Sequence, residues 1–173
     1  MEQIKNKLPE DVNIFLKQLS DYINTPLYFY GSIQRDDYFP GYSDIDVDIF
    51  TDNYSSLATK LQQFLSVKKS KFKKIIWRLN NVVAFGHKIR YKNIDKNISI
   101  EFSIYNENIK KHILEEHNKK IILPFYITWL LVIIKIIYYK LKLMDMETFR
   151  IIKKKILSSF IGIPEEEFIV SKN

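Results

Sequence analysis

The chain contains no cysteine, so it forms no disulfide and offers no thiolate to a metal. Its three histidines, His87, His112 and His117, stand in no zinc-ligand spacing and read as surface or structural groups. Internal repeats, low-complexity tracts and a clear linker are also missing. The opening MEQIKNKLPEDVNIF lacks the apolar run of a signal peptide, and a cytoplasmic protein is expected. The most apolar segment, 121–144, is broken in its middle by Lys135, whereas a membrane span needs ~20 apolar residues. That segment reads as a buried helix packed on a sheet, and no membrane partner is expected.

What is present is 173 residues, enough for one self-sufficient core or for a small domain with a helical annex. Lys and Arg number 27 against 20 Asp and Glu, a net charge of +7. All of those bases except Arg35, Arg78, Arg90 and Arg150 are lysine. This balance fits a polyanionic partner such as a nucleotide or a nucleic acid, and equally a solvated lysine surface.

Periodicity predicts a helix over 9–23, with Val12, Phe15, Leu16, Leu19 and Ile23 on one face. A short apolar strand (27–30), a turn opening a helix (32–37) and a loop containing Pro40-Gly41 (38–43) follow. Next come a strand (44–50), an amphipathic helix (55–67) and three strands (72–79, 82–91 and 98–105), with turns at Asn80-Asn81 and 93–97. After Asn106 the pattern is helical, over 107–118, 124–143 and 147–160. This order predicts an α/β (α+β) fold: a mixed β-sheet flanked by helices. The core would span 1–106, with a C-terminal helical segment, 107–173, packed on it.

The strand at 44–50 carries acids at alternate positions, Asp44, Asp46 and Asp48. Alternate strand residues share a face, so the α-carbons of Asp44 and Asp46 lie roughly 6.6 Å apart. A fold has no need of two like charges so close, and a divalent cation between them would remove the repulsion. The other face, Ile45, Val47 and Ile49, is apolar and suits a core. Asp48 lies further along, where it would salt-bridge a lysine or support a ligand. Gly31 permits a tight turn, and Ser32 offers a hydroxyl and a backbone N–H to phosphate oxygens. Arg35 would reach phosphate or pair with Asp36 or Asp37.

Gly31-Ser32, eleven residues, then Asp44-Ile45-Asp46 resembles the signature of the DNA polymerase beta-type nucleotidyltransferase superfamily. The string GSIQRDDYFPGYSDID is similar to the form GSxxRG(D/E)xxxxSDID of minimal nucleotidyltransferases, with Arg35 on its arginine and Ser43 on its serine. Asp36 stands where that form has glycine, and the gap is one residue longer. The resemblance is specific over 23 residues, Tyr28 to Phe50.

The resemblance implies Mg²⁺- or Mn²⁺-dependent transfer of NMP from an NTP such as ATP to a hydroxyl acceptor. That acceptor would be an RNA end, a protein side chain or a small molecule, and the mechanism would use two metals. Asp44 and Asp46 would be catalytic metal ligands, and Gly31, Ser32 and Arg35 would hold the nucleotide. The family places a third carboxylate on a neighbouring late strand, more often as Asp. Here Glu101 is the acid on the polar face of ISIEFSIY. Lys88, Arg90 and Lys92 share one strand face, suited to a triphosphate or a nucleic-acid backbone, or simply to water. Lys135 and Lys140 on the long helix would hold a triphosphate as helix lysines do in several relatives, although no local motif marks them. Tyr38, Phe39 and Tyr42 flank the site and either stack on a base or anchor the loop. The alternative to an enzyme is an inactive binding module or partner subunit for nucleotide or nucleic acid.

Overall fold

The computed structural model describes residues 4–79, 82–93, 98–161 and 168–170. Helix α1 (Glu10–Ile23) begins after Pro9, carries Glu10 and Asp11 in its first turn, and ends where Asn24 turns left-handed at φ 54°. Acids beside the free N–H groups of a first turn are favourable, and a left-handed residue closes a helix end. Strand β1 (Tyr28–Tyr30) leads into a four-residue 3₁₀ turn, Gly31–Gln34. Strand β2 (Ile45–Phe50) and helix α2 (Tyr54–Leu65) follow, the helix capped by the Asn53 side chain accepting from the Ser56 N–H at 3.0 Å. Strands β3 (Lys73–Leu79), β4 (Val82–Asn93) and β5 (Ile98–Tyr105) come next. Helices α3 (Lys110–Lys119), α4 (Phe125–Lys135) and α5 (Met146–Ile161) complete the run, before a short strand β6 (Phe168–Val170).

The six strands lie in the order β1-β2-β5-β4-β3-β6. β2 and β5 are parallel, and the other neighbours are antiparallel. The mixed sheet is the one expected. α1 and α2 bury Leu16, Leu19, Leu57 and Leu61 against Val47, Ile49, Ile100 and Phe102, forming the main core on one sheet face. The alternation of β2 puts Asp46 and Asp48 on the opposite face. There α3 packs Ile113 against Phe50, Ile75 and Trp77.

Three expectations change. The turn after β1 is a single 3₁₀ turn and opens no helix, so no helix macrodipole supports a ligand there. The helix expected over 124–143 is α-helical only to Lys135 and continues as a π-helical turn, Ile136–Leu141. Nor is α4 wrapped in core. It buries Ile127, Leu131 and Ile134 mainly against Phe149 of α5, and turns Phe125, Tyr126, Trp129 and Ile133 to solvent. Among the described residues no helix is long and apolar enough to cross a membrane. Strand β6 had no expectation attached to it. The expected turns at Asn80-Asn81 and within 94–97 lie outside the described residues.

Candidate active site

Gly31 stands at φ 73°, a left-handed conformation that favours glycine, at the end of β1. A Cβ there would overlap the Oδ2 of Asp46 and lie 3.2 Å from its Cγ. The turn and the acid are thus in contact across the β1–β2 pair, where Tyr30 is in register with Asp46. Ser32 is buried in the turn, and its carbonyl accepts from the Arg35 N–H at 2.9 Å. The Asn6 side chain, which the sequence did not single out, donates to the carbonyls of Ile33 (2.8 Å) and Arg35 (2.7 Å) and pins the same turn.

The parallel pairing of β2 with β5 sets Asp46 directly opposite Glu101. Arg90 of β4 sits between the flanking acids, 3.2 Å from Asp44 Oδ2 and 2.9 Å from Glu101 Oε2. Lys88 Nζ lies 2.6 Å from Glu101 Oε1. Burial pushes Glu101 upward, but Lys88 and then Arg90 outweigh it and hold the carboxyl below its usual range. Asp46 makes no ion pair among the described residues. Burial, and after it the charge of Glu101, push Asp46 up to about 7, against the pull of Lys153 and Lys88. Of the three acids, Asp46 is the one without a direct ion-pair partner among the described residues.

Arg35 takes the pairing alternative. Its Nε lies 2.7 Å from Asp37 Oδ1 and its NH2 3.1 Å from Oδ2, in a buried two-pronged contact, while it still borders the cleft. Lys135 reaches in from α4 to Asp37 Oδ2 at 2.8 Å and to the Asp37 carbonyl. Burial raises Asp37, but Arg35 and then Lys135 outweigh it and hold the acid at about 2. Lys135 is therefore committed to Asp37 rather than to a triphosphate. Lys140 lies over the Tyr42 ring, 5.0 Å from its centre.

Asp48 is fully buried and meets His117 of α3, not a lysine, with Nε2 2.8 Å from Oδ2. Burial raises Asp48 against the opposing charge of His117. The histidine ring stacks on Tyr30 with centroids 3.9 Å apart, so it is a buried group rather than a surface one.

Of these residues, Gly31, Ser32, Arg35, Asp46, Lys88, Glu101 and His117 border an open cleft of about 230 Å³, joined there by Lys120 and Lys153 on its walls. Sequence reasoning missed both wall lysines. Among 23 lysines nothing local marks them, because their positions depend on how α3 and α5 cross the sheet. Among the described residues no three His, Asp or Glu side chains form a ready metal cage. Mg²⁺, however, takes oxygen ligands and is usually held by one or two carboxylates together with substrate phosphates. Asp46, with no direct ion pair among the described residues and beside Glu101, fits that donor set.

Among curated proteins no match to this chain is found. The family description of a nucleotidyltransferase domain matches residues 12–158, running from the start of α1 into α5 and across the boundary expected at 106. With a match over most of its length, carried through the turn, the acidic strand and the cleft just described, the chain belongs to the nucleotidyltransferase domain family.

Proposed function

We propose that this chain transfers a nucleoside monophosphate from an NTP to a hydroxyl acceptor, with Mg²⁺ or Mn²⁺ held by Asp44, Asp46 and Glu101. The observation that carries the reading is Asp46: a buried carboxylate with no direct ion pair among the described residues, in contact with Gly31 and opposite Glu101. A divalent cation there would polarise the reacting phosphate and stabilise the charge on its oxygens. The turn at Gly31-Ser32 lets backbone and hydroxyl come close to the triphosphate. Lys88, Lys120 and Lys153 surround the same cleft with positive charge, which suits the leaving pyrophosphate. In the transfer the acceptor oxygen bonds to the α-phosphorus, the bond to the β-phosphate breaks, and the acceptor proton passes to solvent.

One observation favours the second reading, a binding module without turnover. Arg90 and Lys88 already neutralise Asp44 and Glu101. The deciding experiment incubates the protein with each NTP labelled at the α-phosphate, with Mg²⁺ or Mn²⁺ and with or without RNA. The Asp44→Asn/Asp46→Asn variant serves as control. Label reaching any acceptor, and lost in the variant, supports transfer. A folded protein whose melting point rises with NTP but which releases no pyrophosphate favours the binding module.

A further inference from the structure

The polar face of the sheet is laid out as a line. In β4 it carries Lys88, Arg90 and Lys92, which lie opposite Ser103, Glu101 and Ser99 of β5. The cationic cleft occupies the Lys88 end of this line. A second cavity, about 260 Å³, opens at the Lys92 end and is lined by Tyr42, Ser43, Asp44, Lys92, Asn93 and Ser99. Asp44, Arg90 and Glu101 form the divide between the two.

We propose that this second cavity is the acceptor pocket and that it takes the terminal nucleotide of a single-stranded nucleic acid. The inference rests on the nucleotidyl-transfer reading above. In phosphoryl transfer the entering and leaving oxygens stand roughly in line, on opposite sides of the phosphorus. With pyrophosphate leaving into the Ser32–Lys88–Lys153 cleft, the acceptor hydroxyl arrives from the far side of the carboxylates, the Lys92 end.

The lining gives the chemical class. Tyr42 lines the cavity and is 48% exposed, with the Tyr139 ring tilted against it at 5.4 Å and Lys140 5.0 Å from its ring centre, so aromatic surface and a cation stand together beside the cavity. Bases stack on such rings, and neighbouring lysines meet the phosphates between them. Lys92 makes no ion pair among the described residues. The hydroxyl of Ser99, on the same wall, is buried with no hydrogen-bond partner, and a ribose or base edge would supply one. A polycationic small acceptor would meet Lys92 and Lys140 as like charges. An acceptor side chain on a protein would leave the ring and both lysines without a role.

The test measures binding at the two cavities separately. Short RNA and DNA oligonucleotides of one sequence, each labelled at the 5′ end, are titrated against the protein by fluorescence anisotropy. NTP binding is followed by the rise in melting temperature with Mg²⁺. Tyr42→Ala is expected to weaken oligonucleotide binding ~5- to 100-fold, the range of one lost stacking contact. Lys92→Glu is expected to weaken it further and flatten its salt dependence. Neither variant should change the NTP-induced melting shift. The RNA and DNA arms identify the sugar the pocket accepts. Unchanged oligonucleotide affinity in both variants overturns the proposal, as does α-phosphate label found on protein or on a small hydroxyl compound in place of the oligonucleotide. An absent melting shift with every NTP overturns the transferase reading instead, while the anisotropy arm still reports on the pocket.

Discussion

At the scale of single residues, Gly31 and Asp46 act as one object. Replacing Gly31 with alanine puts a methyl group onto the Asp46 carboxylate and forces a left-handed conformation on a residue that resists it. The conformational part alone costs ~1–3 kcal/mol. Gly31→Ala is therefore expected to lower the urea midpoint and to cut transfer at least ~100-fold, since a 1 Å misplacement at a reacting centre has that order of effect. Asp46→Asn removes the charge and little volume. Transfer should fall to background while the circular dichroism spectrum and melting point hold or rise, because a buried charge with no direct ion pair among the described residues is gone. These residues were legible in the sequence because alternation and spacing are local signals. Glu101 was legible for the same reason, as the acid on the polar side of an alternating strand. The outcome for Arg35 was not. The sequence shows that it has acids beside it, but the partner that completes the cluster, Lys135, is 98 residues from Asp37.

At the scale of elements, the Arg35–Asp37–Lys135 cluster ties α4 to the loop between the Gly31 turn and β2. Lys135 is only 1% exposed. Removing Asp37 leaves Arg35 and Lys135 as buried cations without their shared anion, whereas removing Lys135 leaves Asp37 still paired with Arg35. Asp37→Asn is expected to destabilise the protein in denaturant unfolding, and Lys135→Met is expected to cost less than Asp37→Asn. The pH dependence has a definite sign. Asp37 titrates at about 2 in the folded chain against an ordinary 3.8, so its stabilisation is fully present above pH ~4 and disappears as pH falls toward 2. It amounts to about 2 kcal/mol at neutral pH. Acid unfolding of the wild type and of Asp37→Asn should then converge below pH ~2, with the gap between them opening through pH 2–4.

The elements themselves were mostly read correctly, because strand alternation and the helical stripes of α1 and α2 depend on neighbours in sequence. The length and burial of α4 were not. A helix apolar on all sides looks the same in sequence whether its outer face meets a sheet or water. Strand β6 was missed for a related reason: a three-residue strand exists only through the edge of β3 on which it pairs.

At the scale of the whole molecule, the two halves of the chain are interlocked. The first 106 residues contain Asp37, Asp48 and Trp77, while Lys135 and His117, which pair with those acids, and Ile113, which packs on that tryptophan, all come later. A chain ending at 106 would strip Asp48 of its His117 contact, leave Asp37 with Arg35 alone, and bare the sheet face that α3 covers. It is expected to be rapidly degraded in limited proteolysis that leaves the full chain intact.

That architecture also places the two tryptophans in opposite surroundings. Trp77 is 4% exposed and borders the cleft beneath the Lys120 ammonium, 5.2 Å from its ring centre. Trp129 is 64% exposed on α4. The molecule thus carries two optical reporters that can be told apart without any label. Acrylamide should quench the red-shifted emission of Trp129 first. If added NTP draws Lys120 from its ring, the blue-shifted emission of Trp77 is expected to change, so ultraviolet-excited fluorescence reads occupancy of the cleft.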